Sequence, residues 1–218
     1  METKLVNKLV VYLGFLMLAL LTIVPVVSSI AEPAAISLSG QGQEASQKFT
    51  LTEGLSIFTM KHLGSSNFAV WLMDGNGEKV EPLANTIGNF MGAKGVGIFA
   101  SGDYILDIAT EGPWTVDITQ PRPQTAQSTP ISFSGMGQQV SQFFTLTPGL
   151  TTFKLVHDGE RNFIVWLLDL KGNKLELLAN EIGKFDGSKA TGIKDSGIYC
   201  LNIDAVDADG NWKIDISQ

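Results

Sequence analysis

Cysteine, histidine and positive charge are all scarce in this sequence. The only cysteine, Cys200, excludes a disulfide framework within the chain and a lipid-modified cysteine just after the apolar amino-terminal stretch. The two histidines, His62 and His157, occupy matching places in the two halves of the chain, so neither half can build a three-histidine metal site. The balance of 15 Lys and Arg against 22 Asp and Glu gives a formal net charge of -7. This charge repels phosphate backbones, so nucleic acid is not an expected partner.

Helix-forming periodicity is also rare after the first thirty or so residues. Gly, Asn and Asp punctuate the chain roughly every 8 to 12 residues, and β-branched and aromatic residues fill the intervals. Apolar and polar residues alternate in "YILDI" from Tyr104 and "YCLNI" from Tyr199, as in a half-buried strand. We therefore predict an all-β chain of two tandem antiparallel β-sandwich, jelly-roll-like domains, each with seven or eight strands, following an amino-terminal hydrophobic helix.

Residues 1–31 have the composition of an export segment. Lys4 and Lys8 precede an apolar stretch from Leu9 to Val27, and small residues follow it. The pattern predicts a signal peptide cleaved before Glu32; the alternative is an uncleaved anchor, which would be the chain's only contact with the membrane. Either outcome predicts an extracytoplasmic protein, secreted or held on the outer face of the cytoplasmic membrane.

One long segment of the sequence occurs twice, with small differences. "NFAVWLMDGNGEKVEPLANTIGNFMG" begins at Asn67 and "NFIVWLLDLKGNKLELLANEIGKFDG" at Asn162, numbers that differ by 95. The similarity extends over residues 36–120 and 131–218, which we predict to be the two domains. The Pro-rich residues 121–130 between them are predicted to be a semi-rigid linker.

The repeated segment contains the best candidates for residues of a binding site. Both faces of "FAVWLM" and "FIVWLL" are apolar, so Trp71 and Trp166 are expected to point out of the sandwich. Either the following irregular stretch folds back and covers each tryptophan with an isoleucine and a phenylalanine (Ile87 and Phe90, or Ile182 and Phe185), or the tryptophans form stacking platforms for a sugar ring or a partner's side chain.

Asn85 and Asn180 follow the tryptophans at matching positions. Each is expected to hydrogen-bond the backbone of the irregular stretch, with contact to a ligand as the alternative. Cys200 falls on the outward side of its strand and is expected to be a small apolar residue beneath a neighbour, with an exposed thiol as the alternative.

No catalytic constellation is visible. The histidines fall on the inward side of a strand end, which favours a hydrogen-bonded structural role over that of a catalytic base. The chain has no Gly-x-Ser-x-Gly elbow, so a hydrolase is disfavoured and no catalytic residue is predicted.

A fragment of calcium-loop spacing occurs near the carboxyl terminus. Asp207, Asp209 and Asn211 alternate around Gly210, but strand residues follow at once where a bidentate carboxylate would be needed. A hairpin turn explains these residues better, with a calcium site in the second domain as the alternative; no other cofactor is predicted.

The order of short motifs resembles a known family. The patterns "F.L..GL" from Phe49, "VWL.D..G" from Val70, "SG.Y.L.I" from Ser101 and "W.V.I" from Trp114 resemble the prokaryotic pre-peptidase C-terminal domain. The resemblance implies non-catalytic β-sandwich attachments of secreted and cell-surface proteins, similar to carbohydrate- or matrix-binding folds.

Together these features predict a non-enzymatic, exported binding or adhesion protein, with Trp71, Asn85, Trp166 and Asn180 as ligand-binding residues and a polysaccharide or a cell-envelope protein as partner. The alternative is a structural subunit of a surface layer or membrane-associated complex. Duplicated sites would suit the first role, since a second copy on a short linker is held at ~mM effective concentration.

Overall fold

Every regular element of the protein is a β-strand in the computed structural model, which describes residues 31–205 and 210–218. The predicted all-β class is confirmed. Residues 1–30 of the predicted export segment lie outside the described residues, as do Asp207 and Asp209. Within the described ranges, no helix is long and apolar enough to cross a membrane.

Residues 36–119, called the first half, contain nine strands. These are β1 (Ile36–Gln41), β2 (Glu44–Ala45), β3 (Phe49–Leu51), β4 (Gly54–His62), β5 (Asn67–Asp74), β6 (Lys79–Ile87), β7 (Phe90–Ile98), β8 (Gly102–Ala109) and β9 (Pro113–Thr119).

Residues 127–217, called the second half, repeat this order after one additional short strand. The strands are β10 (Gln127–Ser128), β11 (Ile131–Met136), β12 (Gln139–Val140), β13 (Phe144–Leu146), β14 (Gly149–His157), β15 (Asn162–Asp169), β16 (Lys174–Ile182), β17 (Phe185–Ile193), β18 (Gly197–Ala205) and β19 (Asn211–Ser217).

Each half is built from two facing sheets with the same strand order. In the first half one sheet runs β1-β9-β4-β7, and the other runs β8-β5-β6 with β2 and β3 both paired to β8. In the second half one sheet runs β11-β19-β14-β17 and the other β18-β15-β16, with β12 and β13 paired to β18. All these pairs are antiparallel; β10 adds to β13 in parallel.

The strand count exceeds the predicted seven or eight because one edge strand is interrupted. The hydroxyl of Ser46 accepts a hydrogen bond from the N–H of Leu106 at 2.9 Å, where a strand carbonyl would otherwise accept it. Ser141 makes the same 2.9 Å bond with Leu201 in the second half. The edge beside β8, or β18, is therefore divided into two short pieces.

Alternation along the strands separates core from surface. Phe68, Val70 and Leu72 on β5 are fully buried, and the residues between them point outward, as predicted. Each half encloses its own apolar cluster, within residues 38–118 and 144–216. Burying each large apolar side chain stabilises the fold by roughly 1.5 to 3 kcal/mol before entropic costs, so the two cores supply the main driving force.

A tight turn follows β5. One carboxylate oxygen of Asp74 accepts hydrogen bonds from the N–H groups of Asn76 and Glu78, each at 2.9 Å. Gly77 has a φ of 87, which a side chain would strain. These bonds lower the pKa of Asp74, the one from Glu78 having the largest effect.

The prediction that residues after Asn85 and Asn180 form an irregular cover over the tryptophans is wrong. This stretch continues β6 into β7, and β16 into β17, so the chain crosses from one sheet to the other. Ile87 and Ile182 are 78% and 80% exposed. Phe90 instead packs on Phe68 inside the first core, because it lies on the inward side of β7.

The linker segment is held at both ends. The guanidinium of Arg122 donates to the carbonyl oxygens of Leu55 at 3.1 Å and Glu53 at 2.7 Å. Five residues later, β10 joins a sheet of the second half. Residues 121–130 thus carry the chain between the halves along their surfaces.

Candidate contact surfaces on the outer sheet faces

Strands β5 and β8 present a half-buried outer surface on the first half, which we call the Trp71 face (Ala69, Trp71, Met73, Ile105 and Asp107). Trp71 lies opposite Asp107, and Met73 opposite Ile105. The ammonium group of Lys79 lies 4.3 Å from the centroid of the Trp71 ring, a cation–π contact. The face therefore combines a planar aromatic ring, neighbouring aliphatic side chains and charged groups of both signs.

Asn85 belongs to the same face. It lies opposite Ala69 in the β5–β6 register and is exposed. Asn180 has the matching place opposite Ile164 in the second half and is also exposed. Neither side chain makes a hydrogen bond with any of the described residues. The predicted bond to an irregular stretch is therefore absent, and the stretch itself forms β-strands.

The corresponding face of the second half is covered by the first half. Leu168 and Cys200 are fully buried there against Leu55 of β4, which is itself fully buried. Trp166 packs at the margin of this cluster with other partly buried apolar side chains (Ile57, Val140 and Phe143). Trp71 and Trp166 thus hold equivalent positions in the strands but different positions in the molecule.

Hydrogen bonds along the edge of β7 join the first half to the second. The N–H of Ala93 donates to the carbonyl of Gln138 at 2.9 Å, and the N–H of Gly95 donates to Oδ1 of Asn202 at 2.8 Å. The side chain of Gln138 donates to the carbonyl of Leu83 at 2.9 Å. An edge strand leaves such N–H groups unpaired, and here the second half satisfies them.

Charged pairs and close backbone contacts complete this interface. Lys174 lies 3.0 Å from Glu81, and Lys94 lies 3.1 Å from Asp204. A Cβ on Gly97 would stand 2.8 Å from the carbonyl oxygen of Gly172, so a side chain at position 97 would push the halves apart. The contact therefore requires glycine on β7.

Cys200 lies within the apolar part of the interface and is buried, as predicted. Burial, with a smaller contribution from Asp169, raises the pKa of its thiol to about 12. The thiol therefore stays protonated at neutral pH and is a poor nucleophile. The neighbour that covers Cys200 is the first half of the chain.

Both histidines are structural within the described residues. Nδ1 of His62 donates to the carbonyl of Gly88 at 2.8 Å, and the hydroxyl of Thr110 lies 2.7 Å from Nε2. His157 likewise donates from Nδ1 to Gly183 at 3.0 Å. The two residues are at most 2% exposed, and their rings stack on core phenylalanines.

The fragment of calcium-loop spacing is described only at Asn211. Its backbone N–H donates to Asp158 at 2.7 Å and its side-chain amide donates to the same carboxylate at 3.1 Å. These bonds lower the pKa of Asp158. No group of three His, Cys, Asp or Glu that could hold a metal ion occurs in residues 31–205 and 210–218.

An open depression of about 330 Å³ lies on the second half where β11, β19 and β14 meet. Ser132, Thr152, Lys154 and Asp215 line it. Asp215 accepts hydrogen bonds from Lys213 and Ser132, which lower its pKa. The depression lies on the sheet of β11, β19 and β14, whereas Trp166 lies on β15 of the other sheet. Its charged groups are already paired with neighbours, Lys154 with Asp186 and Asp215 with Lys213.

The contact between the halves was not predicted from the sequence. A comparison of the two copies contains a hint of it: where the first copy has Lys48 and Asp107, the second has Phe143 and Asn202. The second copy is thus less charged on this face. The change is interpretable only once the covering surface is known.

No family model matches the chain, and no curated protein matches it significantly. The resemblance to pre-peptidase C-terminal domains stays a prediction. Among solved structures, the chain is similar to the PBSX exported protein XepA (10% identity, 84% of this chain and 86% of that one, TM-score 0.26). It is also similar to the CBM22-1-CBM22-2 tandem domain of Paenibacillus barcinonensis Xyn10C (8% identity, 86% and 92%, TM-score 0.27). A third match is a fucolectin from Morone saxatilis serum (8% identity, 83% and 84%, TM-score 0.23).

Proposed function

We propose that this chain is a non-catalytic, exported protein of two tandem jelly-roll β-sandwich domains, residues 36–120 and 131–218, that works by binding through the Trp71 face. It acts outside the cytoplasm, either secreted or anchored, and its partner is a polysaccharide or a protein of the cell envelope. The strand order supports the domain assignment, because each pair of sheets follows the connectivity of two Greek keys.

The observation that supports binding most directly is the half-buried state of Trp71. A tryptophan left partly exposed on the outer face of a sheet, with Asn85 on the same face, offers stacking area and polar contacts together. Trp166 is partly buried too, but it packs against the apolar cluster at the contact with the first half, so only the Trp71 face lies outside that contact. Binding by this protein therefore does not depend on two equal sites in one chain.

The non-catalytic character is supported by the state of the chemically active residue types. Both histidines are buried with Nδ1 committed to a backbone carbonyl, and the thiol of Cys200 is protonated and covered. A general base must reach the proton that it removes, and neither histidine can do so in this arrangement.

Retention of the purified full-length chain on isolated cell envelopes and on a panel of insoluble polysaccharides tests the proposal. Trp71→Ala should weaken retention at least about ten-fold, because buried tryptophans dominate binding energy at contact surfaces. Trp166→Ala is the matched control: it should lower stability but leave retention unchanged. Equal retention of the natural chain and Trp71→Ala would refute the Trp71 face as the binding surface.

A structural subunit of a surface layer or envelope complex is the second candidate function. The contact between the halves favours it, since backbone hydrogen bonds along β7 fix the orientation of the two sandwiches. A structural role predicts no retention on polysaccharides and a free energy of unfolding that is shared by the two halves. Separate unfolding of the halves in a denaturant titration would count against it.

A further inference from the structure

We infer that the Trp71 face binds a second copy of this chain, through the outer surface of β14 and β17 in that copy. We call this second surface the Leu150 face (Leu150, Thr152, Ser188, Ala190 and Gly192). The inference rests on the proposed function, since it uses the same Trp71 face, and it adds a second copy of the chain as a partner of that face. The result is a head-to-tail contact between chains.

The contact between the two halves is the template. It joins the outer surface of β4 and β7 in the first half to the outer surface of β15 and β18 in the second. The Leu150 face of the second half corresponds to the outer surface of β4 and β7. The Trp71 face of the first half corresponds to the outer surface of β15 and β18. Equivalent residues in the two halves differ by 95 in residue number. No residue in the described part of the chain covers either equivalent, so each molecule offers one surface of each kind to a second copy.

The Leu150 face retains features that nothing within its own half requires. Leu55, its counterpart at the interface, is 0% exposed, whereas Leu150 is 68% exposed. Gly192 matches Gly97, yet a Cβ on Gly192 would meet nothing within 4 Å and its φ is not positive. Glycine in a strand costs conformational entropy, so its presence here is explained by a close approach from outside.

The partner of that glycine in the template is retained as well. Gly172, which touches Gly97, corresponds to Gly77. The turn requires glycine there through its positive φ, and the space beside it is open, since a Cβ on Gly77 would meet nothing within 4 Å. Backbone can therefore approach backbone between two chains as it does between the two halves.

Hydrogen-bonding groups correspond in the same way. The N–H groups of Ser188 and Ala190 lie on the open edge of β17, as those of Ala93 and Gly95 lie on the edge of β7. Their acceptors in a second chain would be the carbonyl of Gln43, which matches Gln138, and the carboxylate of Asp107. A bond from N–H to a carboxylate is stronger than one to the amide of Asn202 in the template.

One of the two charged pairs at the margin also corresponds, whereas the pair of Lys94 and Asp204 does not, because Ala109 stands where the second half has Asp204. The pair between Lys174 and Glu81 in the template is matched by Lys79 and Glu176. Lys79 is exposed and lies on Trp71. Glu176 lies 3.0 Å from Lys189 of its own half, with 32% of its side chain exposed. Two lysines around this carboxylate would repeat the arrangement of Lys174 and Lys94 around Glu81.

Several positions are more polar than in the template, which sets the strength of the contact. Thr152 replaces Ile57, and Lys48 replaces Phe143. The contact between chains also lacks the linker that keeps the halves at ~mM effective concentration. We therefore expect reversible, concentration-dependent association, and because the two surfaces differ, growth into rings or filaments and not a two-fold dimer.

Sedimentation velocity of the purified full-length chain over a wide concentration range tests the inference. The natural protein should form species larger than a dimer as concentration rises. Leu150→Glu should weaken association at least about ten-fold, since it replaces a leucine that becomes buried with a charge. Leu150 is exposed, so this variant should fold. Leu63→Glu, at another exposed leucine outside both faces, should behave like the natural chain.

Cross-linking gives the direction of the contact. A cysteine in Ala190→Cys and one in Asp107→Cys should form a disulfide when the two proteins are mixed and oxidised, and neither protein should cross-link to itself. The buried Cys200 serves as an internal control, because it should stay free. Self-cross-linking of one variant alone, or association of Leu150→Glu equal to that of the natural chain, would overturn the inference, as would a monomer at every concentration.

The two proposals fail separately. Loss of self-association in Leu150→Glu with retention on envelopes or polysaccharides unchanged means that the chain binds both copies of itself and another partner. A natural chain that stays monomeric but is retained through Trp71 contradicts the second-copy inference and leaves the proposed function standing. A chain that associates but is retained by no probe supports the structural subunit.

Discussion

One hydroxyl distinguishes the two buried histidines. Thr110 lies 2.7 Å from Nε2 of His62, whereas Ala205 occupies the matching position in the second half. Nδ1 of each ring donates to a carbonyl, which can only accept, so Nε2 is left to accept. Nε2 of His157 is buried and finds no partner in the described residues. The two halves are therefore unequally satisfied at equivalent sites.

We predict that Thr110→Val lowers the free energy of unfolding by about 1 to 3 kcal/mol, because it keeps the shape of the side chain and leaves a buried ring nitrogen without a donor. Urea denaturation followed by circular dichroism measures the change. Thr115→Val, at an exposed threonine of β9, is the control and should fall within about 0.5 kcal/mol of the natural protein. Equal effects of the two substitutions would show that the hydroxyl does not support His62.

At the scale of elements, one tyrosine in each half ties a strand to the loop before it. The hydroxyl of Tyr104 donates to the carbonyl of Ala100, and that of Tyr199 to the carbonyl of Asp195, each at 2.7 Å. Burial raises the pKa of both hydroxyls, with smaller contributions from Asp74 at Tyr104 and from Asp195 and Asp169 at Tyr199. The folded chain thus favours the protonated tyrosines that donate these bonds.

We predict a loss of stability at alkaline pH that depends on these two tyrosines. Their pKa values are raised on folding, so the stability that they contribute is complete below the unfolded value of 10.0 and falls as pH rises through the folded values. Free energies of unfolding between about pH 8 and 11 measure the slope. The double variant Tyr104→Phe, Tyr199→Phe should be less stable at pH 8 by about 1 kcal/mol per bond and should show a shallower decline. An identical slope in both proteins would contradict the assignment.

At the scale of the whole molecule, the contact between the halves decides what each outer face can do. It buries Leu168 and Cys200 beside a partly buried Trp166, whereas the Trp71 face lies outside this contact, although the two sequences are close relatives. Cys200 lies in the middle of the contact, so its thiol reports whether the halves separate. Local opening of this kind has a free energy below that of global unfolding.

We predict that Cys200 in the native chain reacts with a thiol-specific disulfide reagent at pH 8 at least about 100-fold more slowly than in the unfolded chain. Leu55→Ala should accelerate the native reaction at least about ten-fold, because it leaves a cavity in the interface. Leu51→Ala makes a cavity in the core of the first half and should accelerate the reaction less. Equal acceleration by both would mean that labelling requires global unfolding.

The fold was predictable to the extent that it follows from local patterns. Alternation placed Phe68, Val70 and Leu72 in the core and Trp71 outside. The stretch after Asn85 was not predictable in this way. Its glycines and polar residues resemble a loop, whereas a strand that crosses between sheets needs only backbone bonds to β4.

The sequence by itself determined the all-β class, the duplication, the inward side chains of each strand and the buried, structural histidines, because these depend on periodicity and on the chemistry of single residues. Only the tertiary structure decided that Trp166 is packed against the first half and that Trp71 is not. That difference depends on the packing of β4 and β7 onto β15 and β18, between residues about a hundred positions apart. No local sequence pattern specifies the geometry of such a contact. Two similar segments therefore have different neighbours in the folded molecule.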